Sequence, residues 1–421
     1  MDKIAFLFPG QGSQYIGMGK FVYGEYPVAR QTFEEANEAL NFDLKGLCFE
    51  GDITELTKTE NTQPAILTAS VAAFRVYMQE IGILPEYMAG HSLGEISALC
   101  CAGAIEFKDA VKIVRQRGRF MQEAVPYGYG SMAAVSGIGK DVIEDECERS
   151  SKDGYMVCVS NYNSTEQIVI SGHTKAVADA GEMLKVKGAR VIPLKVSAPF
   201  HSPLMKVAAD RFKEELMKYT LRDMKWPVIS NVTSEPYPGN SKIAEYLSLQ
   251  ITSPVKWQSS IERLQRMGVN IAVEMGPQTV LKNLMKKNSS LINAYSFENG
   301  DDVEDLKMAL SGKRENNAYS DNSGLKFLTK CIAISVCTKN RNWNNDEYQK
   351  GVVIPYKKLV GIKEELANKG SQPTKKHLKE AADYLKRILD TKLVPVDEQK
   401  NRFDQLFEET GIKNYFEDAK E

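Results

Sequence analysis

Histidine is scarce in this sequence: four in 421 residues, at His91, His173, His201 and His377. Chemistry that needs an imidazole base therefore has few candidates, and each can be weighed singly. Cysteine offers little more. The seven, Cys48, Cys100, Cys101, Cys147, Cys158, Cys331 and Cys337, are odd in number and include no CxxC pair. That spacing gives no zinc-binding layout and fits free thiols in a reducing cytoplasm better than a disulfide framework. An excess of one charge is also missing. Lys plus Arg is 54 and Asp plus Glu is 55, a net charge of −1, which argues against a nucleic-acid coat or a dedicated membrane-surface protein. No apolar run approaches the roughly 18 residues of a bilayer span. The opening ten residues lack a signal-peptide layout, because their apolar stretch is short and reads as a strand. There is no internal repeat and no long low-complexity tract, and a monomer is the default.

What is present is enough apolar sequence, 43%, for two or three domains of about 100–200 residues. Ile4–Phe8 is a continuous apolar run, as in a strand buried on both faces, and it ends in the turn Pro9-Gly10-Gln11-Gly12-Ser13-Gln14. Helical patterns follow over 28–40 and 65–81, then a short strand at 87–89 and a helix from about Ser92. Strands alternating with helices imply an α/β domain with a mostly parallel sheet. Residues 129–197 read differently. Their order, strand, helix, two strands, helix, strand, is the βαββαβ pattern of a ferredoxin-like subdomain inserted in the larger domain. The core is expected over 1–128 and 198–310, returning through strands at 228–231 and 271–274 and a helix at 261–267. A polar stretch, 311–324, reads as a linker. The rest, 325–421, is expected to be a mainly helical, mildly basic extension. Two amphipathic helices stand out in it, at 374–392 and at 397–410, the second with Asp397 as its cap and Gly411 as its stop. Cys331 and Cys337 sit on an apolar stretch and read as core.

Gly90-His91-Ser92-Leu93-Gly94 is a G-x-S-x-G pentapeptide between a short strand and a helix, the context that a nucleophile elbow requires. The flanking glycines leave room for a tight turn that presents the Ser92 hydroxyl at a helix N-terminus. The Leu93 backbone N–H then points where an oxyanion would form. A chance pentapeptide is the plainer alternative, and the strand–turn–helix context weighs against it. For a base, His201 in Pro199-Phe200-His201-Ser202 is favoured over its plainer reading as a loop histidine of no consequence, because the other three histidines are poorer candidates. His173 has the position of a helix start and His377 lies in the extension. His91 falls on the other side of the turn, as a packing or hydrogen-bonding residue.

Six motifs in order carry a family resemblance: Pro9-Gly10-Gln11-Gly12-Ser13-Gln14, Asn61-Thr62-Gln63-Pro64-Ala65, Gly90-His91-Ser92-Leu93-Gly94-Glu95, Arg115-Gln116-Arg117-Gly118, Pro199-Phe200-His201-Ser202 and Glu274-Met275-Gly276-Pro277. Over about residues 1–310 the chain resembles the malonyl-CoA:acyl-carrier-protein transacylases of fatty acid and polyketide synthesis. The resemblance implies a hydrolase-like α/β core with the ferredoxin-like insertion. It also implies Ser92 as nucleophile and His201 as general base, oriented by the backbone carbonyl of Gln250 rather than by an acid. The oxyanion hole would be the N–H groups of Gln11 and Leu93. Arg117 would hold the malonyl carboxylate, although by pattern alone it reads as a solvated helix charge between Arg115 and Arg119. Gln63 and Asn163 would line the pocket. Phe200, before the histidine, would select malonyl over methylmalonyl. Malonyl-CoA enters as substrate, an acyl carrier protein is the partner, and neither a metal nor another cofactor is implied.

The extension departs from the family's usual length. It resembles free-standing transacylases that act in trans for polyketide or hybrid lipopeptide synthases of the iturin kind. Its basic Lys375, Lys376 and Lys379 leave open a docking surface for an acidic carrier or simple packing of a solvated helix start. Competing readings are a housekeeping fatty-acid transacylase, an acyl hydrolase or editing thioesterase of the same fold, and a non-catalytic scaffold for carrier domains.

Overall fold

The computed structural model describes residues 2–196, 198–298, 300–311, 323–369 and 371–412. They form two compact units: 1–74 with 85–306, and 75–84 with 307–421. Among the described residues no helix is long and apolar enough to cross a membrane. The nine described strands are, in chain order, β1 (Ile4–Phe8), β2 (Tyr87–Gly90), β3 (Gly130–Ser136), β4 (Val157–Ser164), β5 (Gln167–His173), β6 (Arg190–Pro193), β7 (Val228–Ile229), β8 (Ile271–Glu274) and β9 (Asn293–Ser296).

β7, β2, β1, β8 and β9 make one five-stranded sheet in that order, with every pairing parallel. β1 lies at its centre and all five of its residues are buried, which is why its sequence is continuously apolar. Burial of each large side chain there contributes roughly 1.5–3 kcal/mol. Because the strands are parallel, their C-terminal ends share one edge. The turn after Phe8, the turn after Gly90 and the segment after Ile229 all leave from that edge, which is where open parallel sheets collect their functional loops.

The insertion folds as an antiparallel sheet in the order β4-β5-β3-β6, with the helices Lys140–Ser150 and Thr174–Val186 packed on one face around Val135, Ile143, Ile170 and Leu184. Its last strand ends at Pro193. β4 is joined to the core through backbone bonds between Tyr162 N–H and the Val255 carbonyl, and between Val255 N–H and the Ser160 carbonyl, both 2.9 Å.

Three local expectations change. The helix expected over 65–81 is Thr59–Glu80, with Pro64 inside it. Its first turn is closed by Asn61 and Thr62 N–H groups on the Lys58 carbonyl, so Gln63 stands on a helix. The expected linker 311–324 falls mainly outside the described residues; within them, one helix ends at Ser311 and the next begins at Ser323. Asp397 is not a cap. Pro395 occupies that position and Asp397 lies in the first turn of Val396–Thr410, where its charge still suits the helix N-terminus.

The second unit is helical, and Arg75–Leu84 groups with it although the sequence places those residues in the core segment. The helix Ser323–Cys337 packs against Ile354–Lys369, Lys375–Thr391 and Val396–Thr410. It buries Phe327, Leu328, Cys331, Ile332 and Cys337. Apolar on so much of its surface, it shows no clear amphipathic stripe, so it did not stand out in the sequence as Lys375–Thr391 did. That helix begins with Thr374 and His377 capping each other's backbone N–H, which accounts for the fourth histidine. Lys375, Lys376 and Lys379 are exposed beside them.

Candidate active site

Ser92 follows β2 and caps the helix Leu93–Cys101 with φ of 53°. A left-handed conformation is costly for a residue with a side chain, and the surrounding glycines make it reachable. A Cβ on Gly94 would sit 1.9 Å from the Phe8 carbonyl oxygen, and one on Gly90 would sit 1.9 Å from the Gly94 carbonyl carbon. The elbow is therefore pressed against the end of β1, and no side chain fits at either position. A Cβ on Gly10 would lie 2.4 Å from the His91 carbonyl oxygen, so the turn that carries Gln11 lies against the turn that carries Leu93. Among the described residues neither the Gln11 nor the Leu93 backbone N–H has a protein acceptor.

The Ser92 hydroxyl is 2.8 Å from Nε2 of His201, and Nδ1 of His201 is 2.8 Å from the backbone carbonyl of Gln250. A carbonyl only accepts, so Nδ1 carries the proton and Nε2 is left to receive one from the serine. The His201 backbone is itself left-handed, at φ of 57°. Burial, and then the nearby Arg117 charge, push its pKa down to about 3, so the ring is neutral at ordinary pH, as a base must be. Phe200 is buried beside it.

Arg117, on the helix Phe107–Glu123, is 1% exposed, so the solvated-charge alternative fails. Its Nη1 donates to Gln63 Oε1 at 2.9 Å. Its Nη2 donates to Gln250 Oε1 at 2.9 Å and to Ser92 Oγ at 3.2 Å. Its Nε has no partner among the described residues. Burial lowers its pKa to about 10, a shift opposed by Glu95, so it stays a cation. A buried guanidinium within reach of the Ser92 hydroxyl is costly to maintain without an anion to meet.

Asn163, on β4, is turned onto His91: its Oδ1 is 2.8 Å from Nε2 of that ring. His91 packs against Trp257 and is held neutral by burial, which lowers its pKa. The ring that meets the Ser92 hydroxyl is that of His201. Gln11, His91, Asn163 and Lys287 line one cleft of about 410 Å³, so Gln11 and Asn163 share a wall while Gln63 lies deeper, against Arg117.

Three residues of this cluster escape sequence reasoning. Asn231, just past β7, accepts the Ser92 N–H at 2.7 Å on its Oδ1 and donates from Nδ2 to the Gly90 carbonyl at 2.7 Å. Glu95, fully buried, accepts from Asn231 N–H at 3.0 Å, from Gln250 Nε2 at 2.6 Å and from the Tyr237 hydroxyl. Burial lifts its pKa to about 7, against the pull of those three donors and of Arg117. The available signals were Glu95's place one turn after the serine and Asn231's place at a parallel strand's C-terminal end. Neither identifies what the side chain touches.

Residues 5–320 match the family model described as "Acyl transferase domain". A Bacillus subtilis protein named malonyl CoA-acyl carrier protein transacylase is 42% identical over 399 residues, covering 95% of this chain and 99% of its own length. A protein of the same name from Escherichia coli K12 is 47% identical over 298 residues, covering 70% of this chain and 96% of its own. Among solved structures, the transacylase of that name from Clostridium perfringens is 38% identical with a TM-score of 0.72, covering 75% of this chain and all of the other. A malonyl-transacylase solved with its type II PKS acyl-carrier protein is 40% identical with a TM-score of 0.71, covering 74% of this chain and all of the other.

Proposed function

The chain belongs to the acyl transferase domain family, and from that premise we propose that it moves a malonyl group from malonyl-CoA to the phosphopantetheine thiol of an acyl carrier protein, by way of a malonyl ester on Ser92. In the first half-reaction Ser92 Oγ attacks the thioester carbonyl and gives its proton to His201 Nε2. The oxyanion that forms meets the Gln11 and Leu93 N–H groups. The intermediate collapses, the CoA sulfur leaves and His201 returns the proton to it. In the second, the carrier thiol gives its proton to His201 and attacks the ester carbonyl. Ser92 Oγ leaves and is reprotonated, so acyl group and proton balance over the cycle. Arg117 holds the free carboxylate of the malonyl group with its planar fork, and Phe200 stands against an α-methyl branch.

One observation carries this reading: a buried guanidinium 3.2 Å from the serine hydroxyl. An acyl hydrolase would have no use for that cation, and its histidine would be expected to carry an acidic partner, where His201 has a carbonyl. We assign the enzyme to the cytoplasm, where CoA thioesters and carrier proteins meet, and to service in trans for a polyketide or hybrid polyketide–peptide synthase. Support for the last point is the extension, which the long Bacillus subtilis relative runs alongside while the Escherichia coli relative covers only 70% of the chain.

The test is intact-protein mass spectrometry after brief mixing with malonyl-, acetyl- and methylmalonyl-CoA in competition. A malonyl adduct is expected on the wild type and none on Ser92→Ala, and a phosphopantetheinylated carrier should discharge it. Preferential acetyl loading would overturn the Arg117 assignment, and equal methylmalonyl loading the Phe200 assignment. Faster discharge by a fatty-acid carrier than by synthase carrier domains would favour the housekeeping role.

A further inference from the structure

Arg117 is held in place by two amides, Gln63 and Gln250, and an amide can present either its oxygen or its nitrogen. What fixes Gln250 is a donor on one side and a set of acceptors on the other. On one side Arg117 Nη2 can only donate, and it meets Gln250 Oε1 at 2.9 Å. On the other, Gln250 Nε2 meets the Ser92 carbonyl at 3.1 Å, Asn231 Oδ1 at 3.2 Å and, at 2.6 Å, the shortest of the three, a carboxylate, which when ionised can only accept. That carboxylate is Glu95. The same Glu95 oxygen takes the Asn231 N–H at 3.0 Å, and the second oxygen takes the Tyr237 hydroxyl. Among the described residues every hydrogen-bond partner of Glu95 therefore donates. His201 is not among them, since its Nδ1 is used by the Gln250 carbonyl. Glu95 thus has no part in a triad, yet it sits at the centre of the amides that surround the serine.

We infer that Glu95 is a positioning residue for acyl selectivity: through the Gln250 amide it holds Arg117 where the carboxylate of the transferred acyl group must bind. The inference rests on the reading of Arg117 given above. Gln250 serves two groups at once, His201 through its backbone and Arg117 through its side chain, and Glu95 acts on the side chain alone. Its loss should therefore weaken recognition of the acyl carboxylate more than it weakens serine acylation itself. Asn231 extends the same hold to the Ser92 backbone, whose N–H it accepts.

The experiment is single-turnover loading of the full-length protein with malonyl-CoA and acetyl-CoA, comparing wild type, Glu95→Gln, Arg117→Ala and the double variant. At a loading pH above the Glu95 pKa of about 7, Glu95→Gln keeps the shape but replaces a charge-assisted bond to Gln250 by a neutral one of about half the strength. The expected result is a fall of about tenfold in the malonyl-to-acetyl ratio, seen in the half-saturating malonyl-CoA concentration for loading, with acetyl loading changed by less than about threefold. In the Arg117→Ala background Glu95→Gln should change the ratio no further, because the group it positions is gone. An unchanged or increased ratio in Glu95→Gln would overturn the inference, the increase because it would make Glu95 a competitor of the acyl carboxylate. If Arg117→Ala itself leaves the ratio at the wild-type value, the Arg117 reading fails instead, so the two failures are distinguishable. Should Glu95→Gln fold poorly by thermal melt, Tyr237→Phe tests the same hold from the other oxygen. It should lower the ratio in the same direction by a smaller factor, and no change there overturns the inference as well.

Discussion

Replacing Arg117 by alanine should convert a malonyl-selective pocket into one that discriminates poorly, and the size of the change can be worked from the site. The guanidinium makes three hydrogen bonds, to Gln63, Gln250 and Ser92, and leaves its Nε without a partner among the described residues. A malonyl carboxylate on that fork gains two charge-assisted bonds, each worth about 1.5–3 kcal/mol. Allowing for what the guanidinium gives up to make them, about 3 kcal/mol is a fair net value, and it corresponds to roughly 150-fold. An acetyl group has no carboxylate and loses none of this. Arg117 also helps to hold the His201 pKa low, after burial, so its removal changes the base as well. Both substrates share that change, which is why the malonyl-to-acetyl ratio, and not the malonyl rate, is the proper readout. Thermal stability is a poor readout, since two amide oxygens lose a donor while a buried cation is removed, and these effects oppose each other. The assay is competitive loading at one pH, read by intact mass, on protein shown to melt cooperatively. A ratio within about threefold of wild type would refute the reasoning.

Other substitutions have equally definite expected outcomes. Gly94→Ala should abolish soluble, active protein, because its Cβ would lie 1.9 Å from the Phe8 carbonyl oxygen. Gly12→Ala, with φ of 105° but open space around it, should cost only about 1–2 kcal/mol of backbone strain; comparing yields and melts of the pair checks this. His201 gives a pH dependence of stability. Its folded pKa lies at about 3, below the ordinary 6.5, so between those values the unfolded chain binds the proton and the folded site does not. Denaturation midpoints should fall as pH drops through that window, and His201→Gln should flatten the slope. In the second unit the buried Lys392 donates to the Ser335 and Thr338 carbonyls at 2.7 and 2.8 Å, capping the end of Ser323–Cys337. Lys392→Met should destabilise that unit by about 1–3 kcal/mol, seen as a lowered melting temperature; an unchanged melt would mean the capping bonds contribute nothing net.

The sequence alone carried the parts that depend on short spans of chain. The apolar run of β1, the G-x-S-x-G turn and the βαββαβ order are local patterns, and each is set by near-neighbour sterics and by strand or helix period. The pairing of Ser92 with His201, 109 residues apart, rests on elimination among four histidines as well as on resemblance, and the role of the Gln250 carbonyl on resemblance alone, because no spacing rule joins such distant residues. Tertiary structure alone decided the surroundings of Arg117. Between Arg115 and Arg119 it looks like one solvated charge among several, and only burial of its face of Phe107–Glu123 separates it from them. Glu95, Asn231 and Tyr237 belong with it. Each is an unremarkable polar residue in sequence, brought to one point because β2 and β7 are parallel neighbours and deliver their C-terminal ends to the same edge. Once there, excluded from water, each polar atom needs a partner of opposite kind, and that requirement, invisible in a linear chain, sets which amide atom faces the arginine.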